Sequence, residues 1–464
     1  MLDLAQVTRR AFLAQYAGGI GSLALTQLLQ STVTAAEATS PAKPARAKSV
    51  ICLFQHGGPS QMDLFDPKPE LEKWHGKPYT AGELETHFDK QRGNVLASPF
   101  KFQKHGQCGM ELCELLPHTG LIADDICLIR SMNTESVDHE AALRLIHSGK
   151  AFAGLPVWGS WVTYALGTAN ANLPSYVVLG DPGGLPVDGD KNWTSGWLPA
   201  VYQGTVFRSG ASPVLNLQLP EGTKPSAREN QLRLLETLNR RHLQRHPENT
   251  ELAARIANFE TAARMQTAVP EVLDLSQETK ETHELYGLNR KESEEYGRRC
   301  LLARRLVERG VRFVQLFMSG QPWDTHSKNA DSLKGLCART DQPSAALVKD
   351  LKQRGLLDDT IVIWTGEFGR LPVSQGADGR DHNRHGFSTW IAGGGFKPGY
   401  IHGATDDFGY ASVVDIVNVH DFHATLLHTL GLDHHKLTHP FDGRDASLTD
   451  AEVTKAKIVE KLLA

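Results

Sequence analysis

The chain has 464 residues, 40% of them hydrophobic and 22% charged, a balance that suits a globular α/β protein of one large domain or of two to three smaller ones. A formal net charge of −4 gives no basic surface for tracking phosphates, so nucleic acid is not an expected partner. Six cysteines without a Cys-x-x-Cys pair leave a zinc ribbon unsupported.

Thr8-Arg9-Arg10-Ala11-Phe12-Leu13, a weakly apolar stretch to about Leu29 and Ala36-Glu37-Ala38 match a twin-arginine export signal over residues 1–38. Gly18, Gly19 and Gly21 make that stretch poor for spanning a bilayer, and no other segment is apolar enough to span. The expected location is the periplasm, and the expected partner on the way there is the twin-arginine translocation machinery. Residues 39–48 read as a disordered Pro/Ala/Lys linker.

Residues 49–54 form a short apolar run broken by Gln55-His56-Gly57-Gly58-Pro59-Ser60, a buried strand entering a tight loop. Residues 111–123 read as a helix and 125–130 as a strand. Helix-start residues from Asn133 to Asp138 predict a helix from His139 to Ser148, closed by Gly149. Residues 175–179 look like another strand. From about 186 to 292 the character changes. A stretch with Trp193, Trp197 and Pro199 precedes two charged helices, about 227–245 and 250–266. This reads as a helical insertion that packs on the sheet or covers its ligand edge, or as a plain helical layer. Residues 293–309 predict an amphipathic helix.

Two polar motifs then follow strand-like runs. Residues 311–317 lead into Trp323-Asp324-Thr325-His326, and 360–364 lead into Gly366-Glu367-Phe368-Gly369-Arg370, with a helix expected at about 342–354 between them. Both motifs sit just beyond the carboxyl end of a strand, the edge where open α/β sheets bind ligands. A strand over 387–392 and a helix over 421–430 complete the series. Alternating strands and helices predict a mostly parallel, doubly wound sheet.

If those strands are parallel neighbours, five loops converge. They carry His56; Asp138 and His139; Asp324 and His326; Glu367; and Asp381, His382 and His385. Carboxylates mixed with imidazoles suit Zn²⁺, Mn²⁺ or Fe better than Ca²⁺ or Mg²⁺. Such ions polarise phosphoryl or sulfuryl groups and activate water. Arg370, Arg380 and Arg384 offer planar forks for an anionic substrate. Each residue also has a structural alternative: Asp324 as a helix cap, Glu367 as a partner of Arg370, His385 as a surface histidine.

Several stretches together resemble a known family. They are Gly57-Gly58-Pro59-Ser60-Gln61, Phe65-Asp66-Pro67-Lys68-Pro69, Ala262-Ala263-Arg264-Met265-Gln266, residues 300–308, Trp323-Asp324-Thr325-His326, Gly366-Glu367-Phe368-Gly369-Arg370, Gly379-Arg380-Asp381-His382 and residues 423–428. The chain resembles the exported bacterial family labelled domain of unknown function 1501, whose members are called sulfatase-like. That label implies the alkaline phosphatase and sulfatase superfamily: a three-layer sandwich with a mostly parallel central sheet, here over 49–464. The resemblance implies divalent metal ligands at Asp324, His326, Glu367, His382 and His56. It implies a catalytic position at His139, beside Asp138, and His382 or His385 as the last metal histidine; Arg370, Arg380 and His385 are the candidate substrate contacts. His139 stands where the superfamily has a Ser, Thr or Cys nucleophile, and the sulfatase Cys/Ser-x-Pro-x-Arg signature is absent. His139 as nucleophile, His139 as ligand to an ion that activates water, and loss of catalysis all stay open. The implied activity is hydrolysis of sulfate or phosphate esters, on small molecules or polysaccharides. The alternative is a non-catalytic exported scaffold or glycan-binding protein.

Overall fold

The computed structural model describes residues 45–464 except 209–212, 215–216, 218–221, 223 and 248. The expected export signal lies outside the described residues. The described end of the expected linker is not loose. The backbone N–H groups of Arg46 and Ala47 both donate to Thr429 O, Lys48 pairs with Asp359 at 2.6 Å, and Ala47 is buried.

Strands β1 (Ser49–Phe54), β2 (Ile126–Asn133), β3 (Tyr176–Leu179), β4 (Thr205–Phe207), β5 (Phe313–Leu316), β6 (Thr360–Thr365), β7 (Phe387–Ala392), β8 (Tyr400–His402) and β9 (Val417–Asn418) form one sheet. Its order is β8-β2-β7-β6-β1-β5-β3-β4, with β9 also on β2. Strand β7 runs antiparallel to β6 and β2, and every other pairing is parallel. The apolar runs that become β1, β6 and β7 are buried along their whole length, as strands covered on both faces must be.

The main helices are α1 (His139–Ser148), α2 (Trp158–Leu166), α3 (Pro225–Arg245), α4 (Thr250–Leu273), α5 (Glu294–Glu308), α6 (Asn329–Gln353) and α7 (Val419–Thr429). Alternation along β1 sorts them into layers. Ile51 and Leu53 join the core shared with α4, α5 and α6. Val50, Cys52 and Phe54 join the core shared with α1, α2 and α7. The result is the expected three-layer α/β sandwich. No helix among the described residues is long and apolar enough to cross a membrane.

Two readings of the sequence need correction. Residues 111–123 are not a helix: Met110–Cys113 pairs antiparallel with Phe102–His105, and a single turn, Pro117–Gly120, follows. Helix α6 starts at Asn329, well before the expected 342, and runs through Pro343. Within 186–292, β4 extends the main sheet, while Trp193, Leu198, Met265, Val269 and Val272 enter its two cores. All six cysteines are free, Cys108 and Cys113 included.

Candidate functional site

The carboxyl ends of the parallel strands and the amino end of β7 share one edge of the sheet, and the polar loops meet there. Glycine makes the approach close enough. Gly57 has φ +111°, and a Cβ on it would stand 2.3 Å from Asp324 N. The Trp323 N–H donates to His56 O at 2.9 Å, and Trp323 Nε1 donates to Gln55 Oε1 at 3.0 Å. These bonds hold the loop after β5 against the loop after β1.

Asp324 is the hub. Its Oδ1 lies 3.0 Å from His326 Nε2 and 3.0 Å from His382 Nε2, and its Oδ2 lies 3.3 Å from His139 Nε2. The other nitrogen of each ring faces an oxygen acceptor. His139 Nδ1 is 2.7 Å from Glu367 Oε1 and His382 Nδ1 is 2.7 Å from Val137 O. His326 Nδ1 meets Gln375 Oε1, whose amide is oriented because Gln375 Nε2 donates to Gln91 Oε1 at 2.8 Å. Assigned from these partners, each Nδ1 carries the proton. Three Nε2 lone pairs then converge on one carboxylate. Lone pairs facing a carboxylate repel it unless a cation, a proton or a metal ion, stands between.

Without an ion, the positive charge beside Asp324 falls on His139 and Arg370. Burial pushes the His382 imidazole below its ordinary pKa. Burial also works to lower His139, but its contacts with Asp324 and Glu367 prevail and raise it to about 9. Burial disfavours the Asp324 carboxylate, yet the three imidazoles and Arg370 hold its pKa far below the usual range. His139 Nε2, Glu367 Oε2 and both ring nitrogens of His56 are buried with no hydrogen-bond partner among the described residues. His139, Asp324 and His382 form one ion-sized group, and His326, Asp381 and His382 another. This donor set fits a divalent ion.

The expected residues do not all serve the same place. His139, Asp324, His326, Glu367 and His382 come together. His56 sits beside them, fully buried between Phe54 (4.7 Å) and Phe317 (5.2 Å). Asp138 is exposed, and its Oδ1 accepts from Ala141 N at 3.0 Å, so it caps α1 rather than facing the site. The Arg370 side chain is fully buried. Its donors go to Gly58 O (2.9 Å), Arg380 O (3.0 Å), Gly57 O and Asp324 Oδ1 (2.6 Å). Arg380 is equally buried and forks onto Asp63 at 2.7 and 3.0 Å. His385 and Arg384 both contact Glu85 Oε2 at 2.8 Å. The expectation that Arg370 and Arg380 bind substrate gives way, because both are fully buried and clamp loops, while the part-exposed His385 pairs with Glu85.

Two residues at the site went unread in the sequence. His87 stacks on His382 at 5.0 Å, and Phe88 meets His326 edge-on at 5.3 Å. Their backbone N–H groups both donate to Asp381 Oδ2 at 2.8 Å. Asp381 thereby ties a surface strap over the histidines. The inner wall is Phe368, 4.8 Å from His139 and 4.6 Å from His382.

Residues 47–463 match the model of a family described as "Protein of unknown function (DUF1501)". No curated protein matches the chain. Among solved structures, it is similar to the PsFucS1 sulfatase from Pseudoalteromonas sp., with TM-score 0.37, 11% identity and coverage of 96% of this chain and 75% of that one. It is also similar to the phosphonate monoester hydrolase SpPMH from Silicibacter pomeroyi (TM-score 0.34, 10% identity, 89% and 78%). A mutant TAB5 alkaline phosphatase with Mg bound in its M3 site is a further likeness (TM-score 0.36, 12% identity, 84% and 100%). These likenesses are distant, and the site geometry stands on this chain alone.

Proposed function

This chain belongs to the DUF1501 family, and we propose that it is an exported, metal-dependent hydrolase of sulfate or phosphate esters, carried by small molecules or polysaccharides. One observation carries the reading: three Nε2 atoms face the Asp324 carboxylate while every Nδ1 faces an oxygen. Histidines that bind metals have this second hydrogen bond, which fixes the tautomer and aims the free nitrogen. In this reading His139, Asp324 and His382 would hold one ion, and His326, with Asp381 and His382, would face a second position, with Glu367 and His56 beside them. Mixed imidazole and carboxylate donors favour Zn²⁺, Mn²⁺ or Fe over Ca²⁺ or Mg²⁺. A bound ion of this kind polarises an ester oxygen and makes water acidic. Glu367 orients His139 through Oε1, and its buried Oε2, which has no hydrogen-bond partner among the described residues, would be the proton acceptor. Phe368, His87 and Phe88 line the approach and limit water.

A second reading has one observation behind it. Arg370 Nη2, 2.6 Å from Asp324 Oδ1, already supplies that carboxylate with a positive charge. A non-catalytic exported scaffold would keep this pair and need no ion. The two readings separate on one assay: the purified chain, loaded in turn with zinc, manganese and iron, is given p-nitrophenyl sulfate, p-nitrophenyl phosphate and bis-p-nitrophenyl phosphate. Turnover that Asp324→Asn abolishes is expected. Absence of turnover on every ester with every metal would leave the scaffold.

A further inference from the structure

Near the far end of α1 lies a cleft that the metal centre does not use. It has a volume of about 250 Å³ and is lined by Lys150, Phe152, Trp197, Phe441, Arg444 and Asp450, among others. Ser148 also lines it, and nine residues of helix separate Ser148 from His139, about 14 Å at 1.5 Å per residue.

A short hairpin builds the cleft's aromatic wall. His439–Phe441 pairs with Arg444–Ala446 around Asp442-Gly443, both with positive φ (49° and 74°), the backbone of a tight two-residue turn. This turn presents Phe441 and Arg444 rigidly. Phe441 stacks on Trp197 with centroids 4.8 Å apart and planes 13° apart, and His439 stacks on the same indole at 5.4 Å. Behind them Trp161 meets Trp197 edge-on at 5.4 Å. Phe441 is still 42% exposed and Phe152 is 59% exposed, so a backed aromatic surface faces solvent. The indole N–H of Trp197 is buried with no partner among the described residues.

The charges around this wall cancel. Lys150 Nζ is 2.6 Å from Asp450 Oδ2, Arg444 Nη1 is 3.9 Å from the same oxygen, and Asp442 supplies a second carboxylate. Two cations and two carboxylates favour neither an anion nor a cation. They offer donors and acceptors side by side to a neutral ligand. A flat apolar face for C–H contact, a rim that both donates and accepts, and a volume below the range typical of drug-sized ligands describe a hydroxylated ring. We propose that this cleft is a binding subsite for one neutral pyranose unit. It stands apart from the metal centre and does not depend on the hydrolase reading.

The test titrates the purified chain with neutral methyl pyranosides (glucoside, galactoside, mannoside) and, separately, with adenosine, following tryptophan fluorescence and ligand-detected NMR. At least one pyranoside should bind saturably, about tenfold more weakly to Phe441→Ala, the loss expected for one stacked face. Arg444→Ala, at an exposed position, should also weaken binding, and Asp324→Asn should leave it unchanged. Thermal unfolding confirms that each variant is folded. Absence of saturable binding to every pyranoside, binding of adenosine alone, or equal affinity in folded Phe441→Ala and Arg444→Ala overturns the proposal.

Discussion

Asp324 gathers three imidazoles and a guanidinium around one buried carboxylate, so its neighbours decide what it does. Gln375 never touches Asp324 in the contacts above, yet it fixes which nitrogen of His326 faces the hub. Replacing such a partner typically costs 10- to 100-fold in metal affinity. Gln375→Leu should therefore weaken zinc binding by about that factor while leaving the unfolding midpoint of the metal-free chain nearly unchanged. A chelator-competition titration reads the difference. Other histidines are held for the opposite purpose. His147 and His423 are fully buried, and burial lowers each to about 3 although a carbonyl partner opposes it. Unfolded, each would take a proton below about pH 6.5; folded, neither does until about pH 3. Their contribution is intact above pH 6.5 and drains away as pH falls toward 3. Between pH 6.5 and 5 each should remove roughly 1–2 kcal/mol of stability. Urea unfolding at the two pH values checks this, and His423→Gln should shrink the pH dependence by about that amount whatever it does to the absolute stability.

The elements at the site work as rigid holders whose ends carry the chemistry. Helix α1 starts at His139 because Asp138 caps it, and ends where Gly149 takes φ +75°. Asp138→Ala should cost about 1 kcal/mol, the usual loss for a cap, and should leave metal content unchanged. A large loss of turnover at normal stability would return Asp138 to the chemistry. The strands were legible because both faces are buried: Ser49–Phe54, Thr360–Thr365 and Phe387–Ala392 read as apolar runs and form as such. Helix α1 was legible from its cap and its glycine. Helix α6 was legible only in its second half: it starts at Asn329 and runs through Pro343, which is buried with its neighbours. Met110–Cys113 was missed because four residues of hairpin carry too short a period to distinguish from a helix. At the site, ligand types at strand ends could be read from the chain. Which arginines are free could not. Arg370 and Arg380 are sequestered by loops and by Asp63, more than 300 residues distant for Arg380. The strap over the histidines was also invisible, since its anchors are backbone N–H groups on Asp381.

The whole molecule is a sandwich whose two cores fix one sheet edge, and all the proposed chemistry lies along that edge. An ion bound there would tie together the loops after β2, β5 and β6, segments spread from residue 139 to residue 382. Binding to the folded state alone would add about 2.7 kcal/mol of stability at a hundredfold excess over Kd. The most direct measurement is calorimetric titration of the chelator-stripped chain with Zn²⁺ and Mn²⁺, on the native protein and on Asp324→Asn. Saturable binding of at least one ion at micromolar Kd or tighter, about −8 kcal/mol, is expected, and its loss in the variant. Millimolar or absent binding of both ions, or equal binding to Asp324→Asn, would contradict the metal-dependent reading.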